Sequence, residues 1–173
     1  MKEIELERTF LAKYIPEGVW NSPNKEILDL YIPASAEHPI LRIRKKGDKY
    51  EMTKKQPVKG TDSSHQSEDT IVLSREEFEA LSRLESKKVR KLRYYFNYEG
   101  GTAEVDVFQD ELEGLVVIDF EFGEIEDKDF FQAPDFCLAD VTQEKFIAGG
   151  MLCGKKYDDI ESDLARFGYE RIS

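Results

Sequence analysis

K-E-I-E-L-E-R-T-F-L, residues 2 to 11, alternates acidic and apolar side chains over its first half. In an extended chain successive side chains point to opposite sides, so Glu3, Glu5 and Glu7 share one face and Ile4 and Leu6 the other. Three like charges on one strand face repel each other, and glutamate is a poor strand former. Two surroundings make this tolerable. Either the acidic face is fully solvated, or something positive lies over it, such as a metal ion or a set of Arg and Lys side chains.

Outward from this stretch the alternation recurs. Residues 12 to 25, with Pro16, Gly18, Trp20, Pro23 and Asn24, read as an irregular connection. Lys25 to Ile32 forms a second strand stopped by Pro33, and Pro39 to Lys46 a third, in which Leu41 and Ile43 alternate with Arg42 and Arg44. Gly47-Asp48 turns the chain into a fourth, Lys49 to Gln56. Residues 57 to 67 read as a polar loop and Glu68 to Leu73 as a fifth strand. Ser74 and Glu77 make a capping box for a helix reaching Leu84, with Phe78, Leu81 and Leu84 at helical spacing. Val89 to Glu99, the tight turn Gly100-Gly101 and Thr102 to Phe108 give strands six and seven, and Gly114 to Phe122 gives the eighth. After Gly123 the pattern changes to short helical pieces, the last from Asp158 to Arg166 with Ile160, Leu164 and Phe167 on one face.

The expected fold is mainly β (α+β): an eight-stranded antiparallel barrel with a few flanking helices, closed so that no strand edge is left unpaired. Residues 1–173 suit one domain, with strands over about 2–123 and a C-terminal helical segment over about 124–173 that packs on the barrel or covers one end. With 40% hydrophobic and 35% charged residues the chain is globular. A net charge of −11 argues against nucleic acid or an anionic membrane as the main partner, though not against a small anion held in a local basic pocket. No run approaches the ~18 apolar residues of a membrane span, and no signal peptide is visible. Cys137 and Cys153 have neither metal-type spacing nor a disulfide framework, so a reduced, cytoplasmic setting is expected.

The charges are sorted by sign. Arg42 and Arg44 share a face, as do Lys91 and Arg93, while Glu51, Thr53 and Lys55 share another. Glu104 and Asp106 are two apart, as are Asp119 and Glu121. Any one pair, taken alone, reads as the solvated face of an amphipathic strand. Asp119 and Glu121, however, lie in G-L-V-V-I-D-F-E-F, a run committed to burial on both faces. Enclosing one uncompensated charge costs several kcal/mol, whereas groups of both signs facing each other, a metal and a ligand are tolerable. Taken together, the pairs point into the barrel.

The atom types then suggest the chemistry. Carboxylates of strands one and eight are hard oxygen donors suited to Mg²⁺ or Mn²⁺ rather than zinc. Arg and Lys on neighbouring strands suit phosphate oxygens. Both together fit phosphoryl transfer, in which positioning and charge neutralisation do most of the catalysis. His38 and His65 read as ordinary surface residues.

These motifs, in order, resemble the CYTH superfamily of triphosphate tunnel metalloenzymes over roughly residues 3 to 150. The Glu-x-Glu signature is Glu5-Leu6-Glu7-Arg8 followed by Phe10-Leu11; Tyr31 matches the strand-two tyrosine. L-R-I-R gives Arg42 and Arg44, M-T-K-K gives Thr53 and Lys55, and K-L-R gives Lys91 and Arg93. Glu68 precedes the helix, E-V-D-V-F supplies Glu104 and Asp106, V-I-D-F-E-F supplies Asp119 and Glu121, and D-V-T-Q-E-K places Lys145 near the tunnel mouth. The resemblance implies a tunnel in which a divalent metal, Mg²⁺ or Mn²⁺, and a triphosphate are bound together. It implies Glu5, Glu7, Glu68, Asp106, Asp119 and Glu121 as metal ligands. Arg42, Arg44, Lys55, Lys91, Arg93 and Lys145 would hold the phosphate chain, and Glu5, Glu7 and Tyr31 would take part in catalysis.

The implied activity is hydrolysis of a triphosphate, inorganic tripolyphosphate first. The alternatives are a class IV adenylyl cyclase, or a weakly active or non-catalytic binder of polyphosphate or nucleotide. The last arises from a departure: the signature is Glu-x-Glu-x-Lys, and the lysine position here is Thr9. A threonine replaces neither the charge nor the basicity, and Tyr31 alone, with a phenol pKa near 10, is a weak base. The second acidic position after Glu68 is also changed, to Thr70. A homodimer is left open, with no apolar stripe marking an interface.

Overall fold

In the computed structural model, which describes residues 2–173, side-chain alternation sorts every barrel strand into an inner and an outer face. The strands are β1 (Lys2–Ala12), β2 (Asn24–Ile32), β3 (Leu41–Lys46), β4 (Lys49–Pro57), β5 (His65–Leu73), β6 (Lys87–Tyr98), β7 (Gly101–Phe108), β8 (Val116–Phe122) and β9 (Cys137–Asp140). The helices are α1 (Arg75–Leu81), α2 (Ile125–Phe130), α3 (Gly149–Leu152) and α4 (Tyr157–Ala165). The first eight strands follow one another round the sheet as β5-β4-β3-β2-β6-β7-β8-β1, every pair antiparallel, and β1 returns to β5. The eight-stranded barrel is therefore closed.

β1 makes the closure. Its 11 residues serve three neighbours: Lys2–Leu6 pair with β5, Leu6–Leu11 with β8, and Phe10–Ala12 with β9. Since β8 occupies one edge of β1 at Phe10 and Leu11, β9 must use the edge that β5 covers only at the N-terminal half.

The outer face is apolar where β1, β6, β7 and β8 meet. Phe10, Val105, Ile118 and Phe120 pack there with Val19 and Phe136, and Phe131 lies with its ring 4.6 Å from that of Phe120. The segment carrying α2 is thus a jacket over the barrel wall. On the opposite side α1 covers part of β3, β4 and β5, with the Phe78 ring tilted against that of Tyr50 at 5.2 Å. Its capping box is formed: Ser74 Oγ accepts from the Glu77 amide at 3.1 Å, and the Glu77 carboxylate accepts from the Ser74 amide at 2.7 Å.

At one end of the barrel the inward positions become apolar. Leu11, Tyr31, Val89, Phe108 and Val117 meet Leu152, Cys153, Tyr157, Ile160 and Leu164 of the C-terminal segment in one buried cluster. Gly149 fits only because it lacks a Cβ, which would overlap the Tyr31 hydroxyl, and a Cβ on Gly150 would overlap Pro39 and His38. That end is covered by α3 and α4.

The sequence-derived elements differ in three places. The polar loop predicted over 57–67 is shorter, because Pro57 and Gln56 pair with Gln66 and Ser67; Gln66 faces inward, so its polarity does not mark a loop. The helix predicted to Leu84 ends at Leu81. β9 was not expected: four residues, C-L-A-D, are too few to display a period, and the strand forms because β1 offers it an edge.

Leu164, 1% exposed in the covering cluster, tests how strongly the end is held. Leu164→Ala is expected to lower the unfolding free energy by about 2–5 kcal/mol, as buried large-to-small changes do. A urea unfolding curve measures this.

Candidate functional site

The closed barrel brings together every residue to which the sequence or the resemblance gives a metal, phosphate or catalytic role. Glu5, Glu7, Tyr31, Arg42, Arg44, Lys55, Glu68, Lys91, Arg93, Asp106, Asp119, Glu121 and Lys145 all line one internal cavity of about 740 Å³. The register decides which of them meet. Asp29 on β2 lies directly opposite Arg44 on β3, and Arg93 on β6 opposite Asp106 on β7. Glu7 faces Glu121 across β1 and β8, and Thr9 faces Asp119.

Two buried aspartates hold the inner cations. Asp29, 2% exposed, accepts from Arg44 Nε at 2.6 Å and from Nη2 at 2.8 Å. Burial alone would raise its pKa, but Arg44, with Arg42 and Lys91 behind it, holds it at about 2. Asp106, 1% exposed, accepts from Arg93 Nε at 2.6 Å and Nη2 at 2.7 Å, and also from Lys91. Burial opposes its ionisation and Arg93 and Lys91 overcome it, so its carboxyl is held far below the usual range. Lys91 goes the other way: burial and the fields of Arg93 and Arg44 lower its pKa despite Asp106. Arg42 differs from its neighbours. Its Nε is buried without a hydrogen-bond partner among the described residues, 4.0 Å from Asp29.

Further along the cavity carboxylates gather. Lys55 Nζ bridges Glu5 at 2.6 Å and Glu7 at 2.8 Å. Glu7 is the deeper of the two, and its pKa is raised by burial and by Asp119 and Glu5, against the pull of Lys55. For Glu5 burial is the largest influence, yet Lys55 outweighs it and the pKa falls. Glu121, at the more open end, is raised by partial burial and by Glu5 and Glu7. Glu104, paired with Arg93, is raised by burial and by Glu121 and Asp119. At the position where the resemblance expects lysine, the Thr9 hydroxyl donates to Asp119 at 2.7 Å.

Acidic side chains outnumber Lys and Arg in the lining by ten to seven. Among the described residues no group of three His, Cys, Asp or Glu side chains is drawn together as a finished metal site. The donor set nevertheless fits a hard divalent cation: Glu5, Glu7, Asp119 and Glu121 present carboxylate oxygens to one stretch of the cavity, where burial first and neighbouring carboxylates second raise the proton affinity of Glu7 and Glu121.

Asp106, expected as a metal ligand, has both oxygens engaged by Arg93 and Lys91. Tyr31, expected near the chemistry, has its ring in the apolar cluster and its hydroxyl against Gly149, with a pKa raised by burial. Lys145 is exposed at the cavity margin. His38, read as a surface residue, is half-buried and lines the cavity beside Gly150; its pKa is lowered by burial and by Lys145. Asp29 and Gln66 were missed, and Glu104 was noted without a role. Asp29 was legible, being an acid inside I-L-D-L-Y-I two residues before Tyr31, the same sign that marked Asp119. A second recess of about 340 Å³ contains Arg8 and Lys128, which are already paired with Asp140 and Asp129.

The CYTH domain model matches residues 21–136. The chain belongs to the CYTH domain family. Over 143 residues it is 28% identical to an inorganic triphosphatase of Nitrosomonas europaea, covering 82% of this chain and 91% of that protein. A crystal structure of an inorganic triphosphatase superposes with a TM-score of 0.63 at 26% identity, covering 87% of this chain and 95% of the other. A crystal structure of a candidate adenylate cyclase from Bacillus halodurans, 18% identical, covers 99% of this chain and 94% of the other with a TM-score of 0.57, a likeness of fold alone. The CYTH match begins after β1, so Glu5 and Glu7 lie outside it and their place in the cavity rests on the closure of the barrel. No helix among the described residues is long and apolar enough to cross a membrane.

The shifted carboxyls give the metal-free CYTH protein a two-sided pH dependence. Glu7, Glu104 and Glu121, raised in the fold, favour folding less as pH rises above their ordinary range near 4.5. Asp29, lowered from 3.8 to about 2, contributes roughly 2 kcal/mol that is present above pH 4 and lost as pH falls towards 2. In EDTA the melting temperature is expected to rise from pH 8 to about pH 5 and to fall steeply below about pH 4. A series of thermal melts measures both slopes.

Proposed function

We propose that this protein hydrolyses a triphosphate, inorganic tripolyphosphate first, with Mg²⁺ or Mn²⁺. The observation that carries the reading is the buried Arg42 Nε, without a hydrogen-bond partner among the described residues, beside a row of cations and next to a surplus of carboxylates in one cavity. A buried guanidinium N–H left unsatisfied is costly, and an anionic oxygen at that place removes the cost.

In this reading Arg42, Arg44, Lys91 and Arg93 hold the phosphate oxygens and fix the chain end-on along the barrel axis. Arginine forks suit this because they bind two oxygens at once. Lys55 and, at the margin, Lys145 complete the basic lining. Glu5, Glu7, Asp119 and Glu121 would hold the divalent cation, with Glu68 beside them. When bound, the cation supplies charge neutralisation that lets a triphosphate enter an acidic channel and lowers the barrier at phosphorus. Tyr31 keeps its proton at neutral pH and forms part of the wall. Glu5 and Glu7, bridged by Lys55, would serve catalysis by holding that cation beside the phosphate chain.

A second reading, a non-catalytic binder of triphosphate, is favoured by one observation. Thr9 gives the channel a neutral hydroxyl on Asp119 where the resemblance expects an ammonium.

Phosphate release from tripolyphosphate decides between them. With Mg²⁺ or Mn²⁺ present, release is expected above a metal-only blank and at least a hundredfold lower in Glu7→Ala and Glu121→Ala, on the order of the effect of removing one stabilising group from a transition state. Tight calorimetric binding with no release selects the binder, and cyclic AMP formed from ATP selects a cyclase. In the same samples, Mn²⁺ is expected to raise the melting temperature at pH 8 and to lose that effect near pH 4, where the carboxylates protonate.

A further inference from the structure

We propose that Asp29 is a positioning residue that aims Arg44 at the phosphate chain; the inference rests on the triphosphatase reading above. Asp29 has three features that a ligand to substrate or cation would not combine. It is 2% exposed, both its oxygens are taken by one guanidinium, and it lies directly across the strand pair from that arginine.

The geometry sets the fork. Accepting from Nε and Nη2 fixes the plane of the Arg44 guanidinium, because two parallel hydrogen bonds leave no free rotation about either. Its remaining N–H groups are then fixed in direction. Arg42, two residues earlier on the same face of β3, lies 4.0 Å from the same Asp29 Oδ1, beyond hydrogen-bond reach. Asp29 therefore does not occupy the Arg42 Nε, which is left for a ligand oxygen. One carboxylate locks the first arginine and leaves the second available.

Charge alone predicts the opposite of this role. Asp29 is an anion beside an anion site, so neutralising it should tighten phosphate binding. If Asp29 works by aim, neutralising it should loosen binding. The sign of the change separates the two.

The test compares wild-type protein with Asp29→Asn, Arg44→Gln and the double variant. KM and kcat are measured on tripolyphosphate with Mg²⁺, and arginine Nε–H resonances are recorded in ¹H–¹⁵N spectra, the Arg44 signal being assigned by its loss in Arg44→Gln. Asp29→Asn is expected to raise KM at least about tenfold and to shift or erase the Arg44 signal. In the Arg44→Gln background it is expected to change KM less than about twofold, since its effect passes through that residue. A lower or unchanged KM in Asp29→Asn, or a full additional effect in the double variant, overturns the proposal. If Asp29→Asn does not fold, the double variant, neutral at both positions, is compared with Arg44→Gln alone: equal KM supports the proposal and unequal KM overturns it. If wild-type protein releases no phosphate, the triphosphatase reading fails by itself, and the spectra then judge Asp29. An Arg44 signal unmoved by Asp29→Asn overturns the positioning role.

Discussion

A guanidinium or carboxylate taken out of water has to meet its opposite within a few ångströms, and in this barrel the strand register is what arranges the meeting. Asp29 and Arg44 are cross-strand partners, as are Arg93 and Asp106, so each pair is fixed by backbone hydrogen bonds before its side chains are placed. A slip of one residue would turn every inward charge to the outside and every outer Phe, Val and Ile inward. The ion pairs themselves are weak grounds for stability, because desolvating each ion costs several kcal/mol and apolar residues of similar size often serve as well. Their presence marks a site that the fold supports at a cost.

The support comes from outside the barrel. With charge inside, the apolar face has to look outward, and Phe10, Ile118 and Phe120 require a cover that the strands cannot provide. The segment after β8 supplies it through Phe131 and Phe136, and the C-terminal helices cover the end where Leu11, Phe108 and Val117 replace charge with apolar surface. The change from charged to apolar lining occurs along single strands: Lys91 and Arg93 follow Val89 on β6, and Asp119 and Glu121 follow Val117 on β8. One period-2 pattern therefore encodes both the channel and its closed end.

This explains what could be read from the sequence. Strands whose inward residues are charged and outward residues apolar show a clean alternation, and eight strands were legible, although the inward Asp29 of β2 and Gln66 of β5 were not. What failed was whatever depends on a partner. β9 exists because β1 has an edge to give, which no feature of C-L-A-D reveals. Asp106 belongs to an acid-x-acid pair just as Asp119 does, yet it lies across from Arg93 and Val117 whereas Asp119 lies across from Thr9 and Glu104, and only the register reveals which carboxylate is pinned by an arginine directly opposite. Tyr31 alternates correctly into the barrel, but its depth is set by Gly149, more than a hundred residues away.

Thr9 shows how much a neutral donor differs from a charged one at such a place. Its hydroxyl holds Asp119 Oδ1 at 2.7 Å while Arg93 reaches Oδ2 at 3.3 Å, so the carboxylate is oriented from both sides. An ammonium in the same position would orient Asp119 and also cancel its charge. The threonine does the first without the second, and its own amide is tied to Thr142 Oγ1 at 3.0 Å, which anchors the backbone behind it. The acidic surplus near Glu7, Asp119 and Glu121 is therefore one charge greater than with lysine there. Carboxylates in that condition gain more from a cation than from another hydrogen bond, because a hydrogen bond redistributes their charge and a cation removes it.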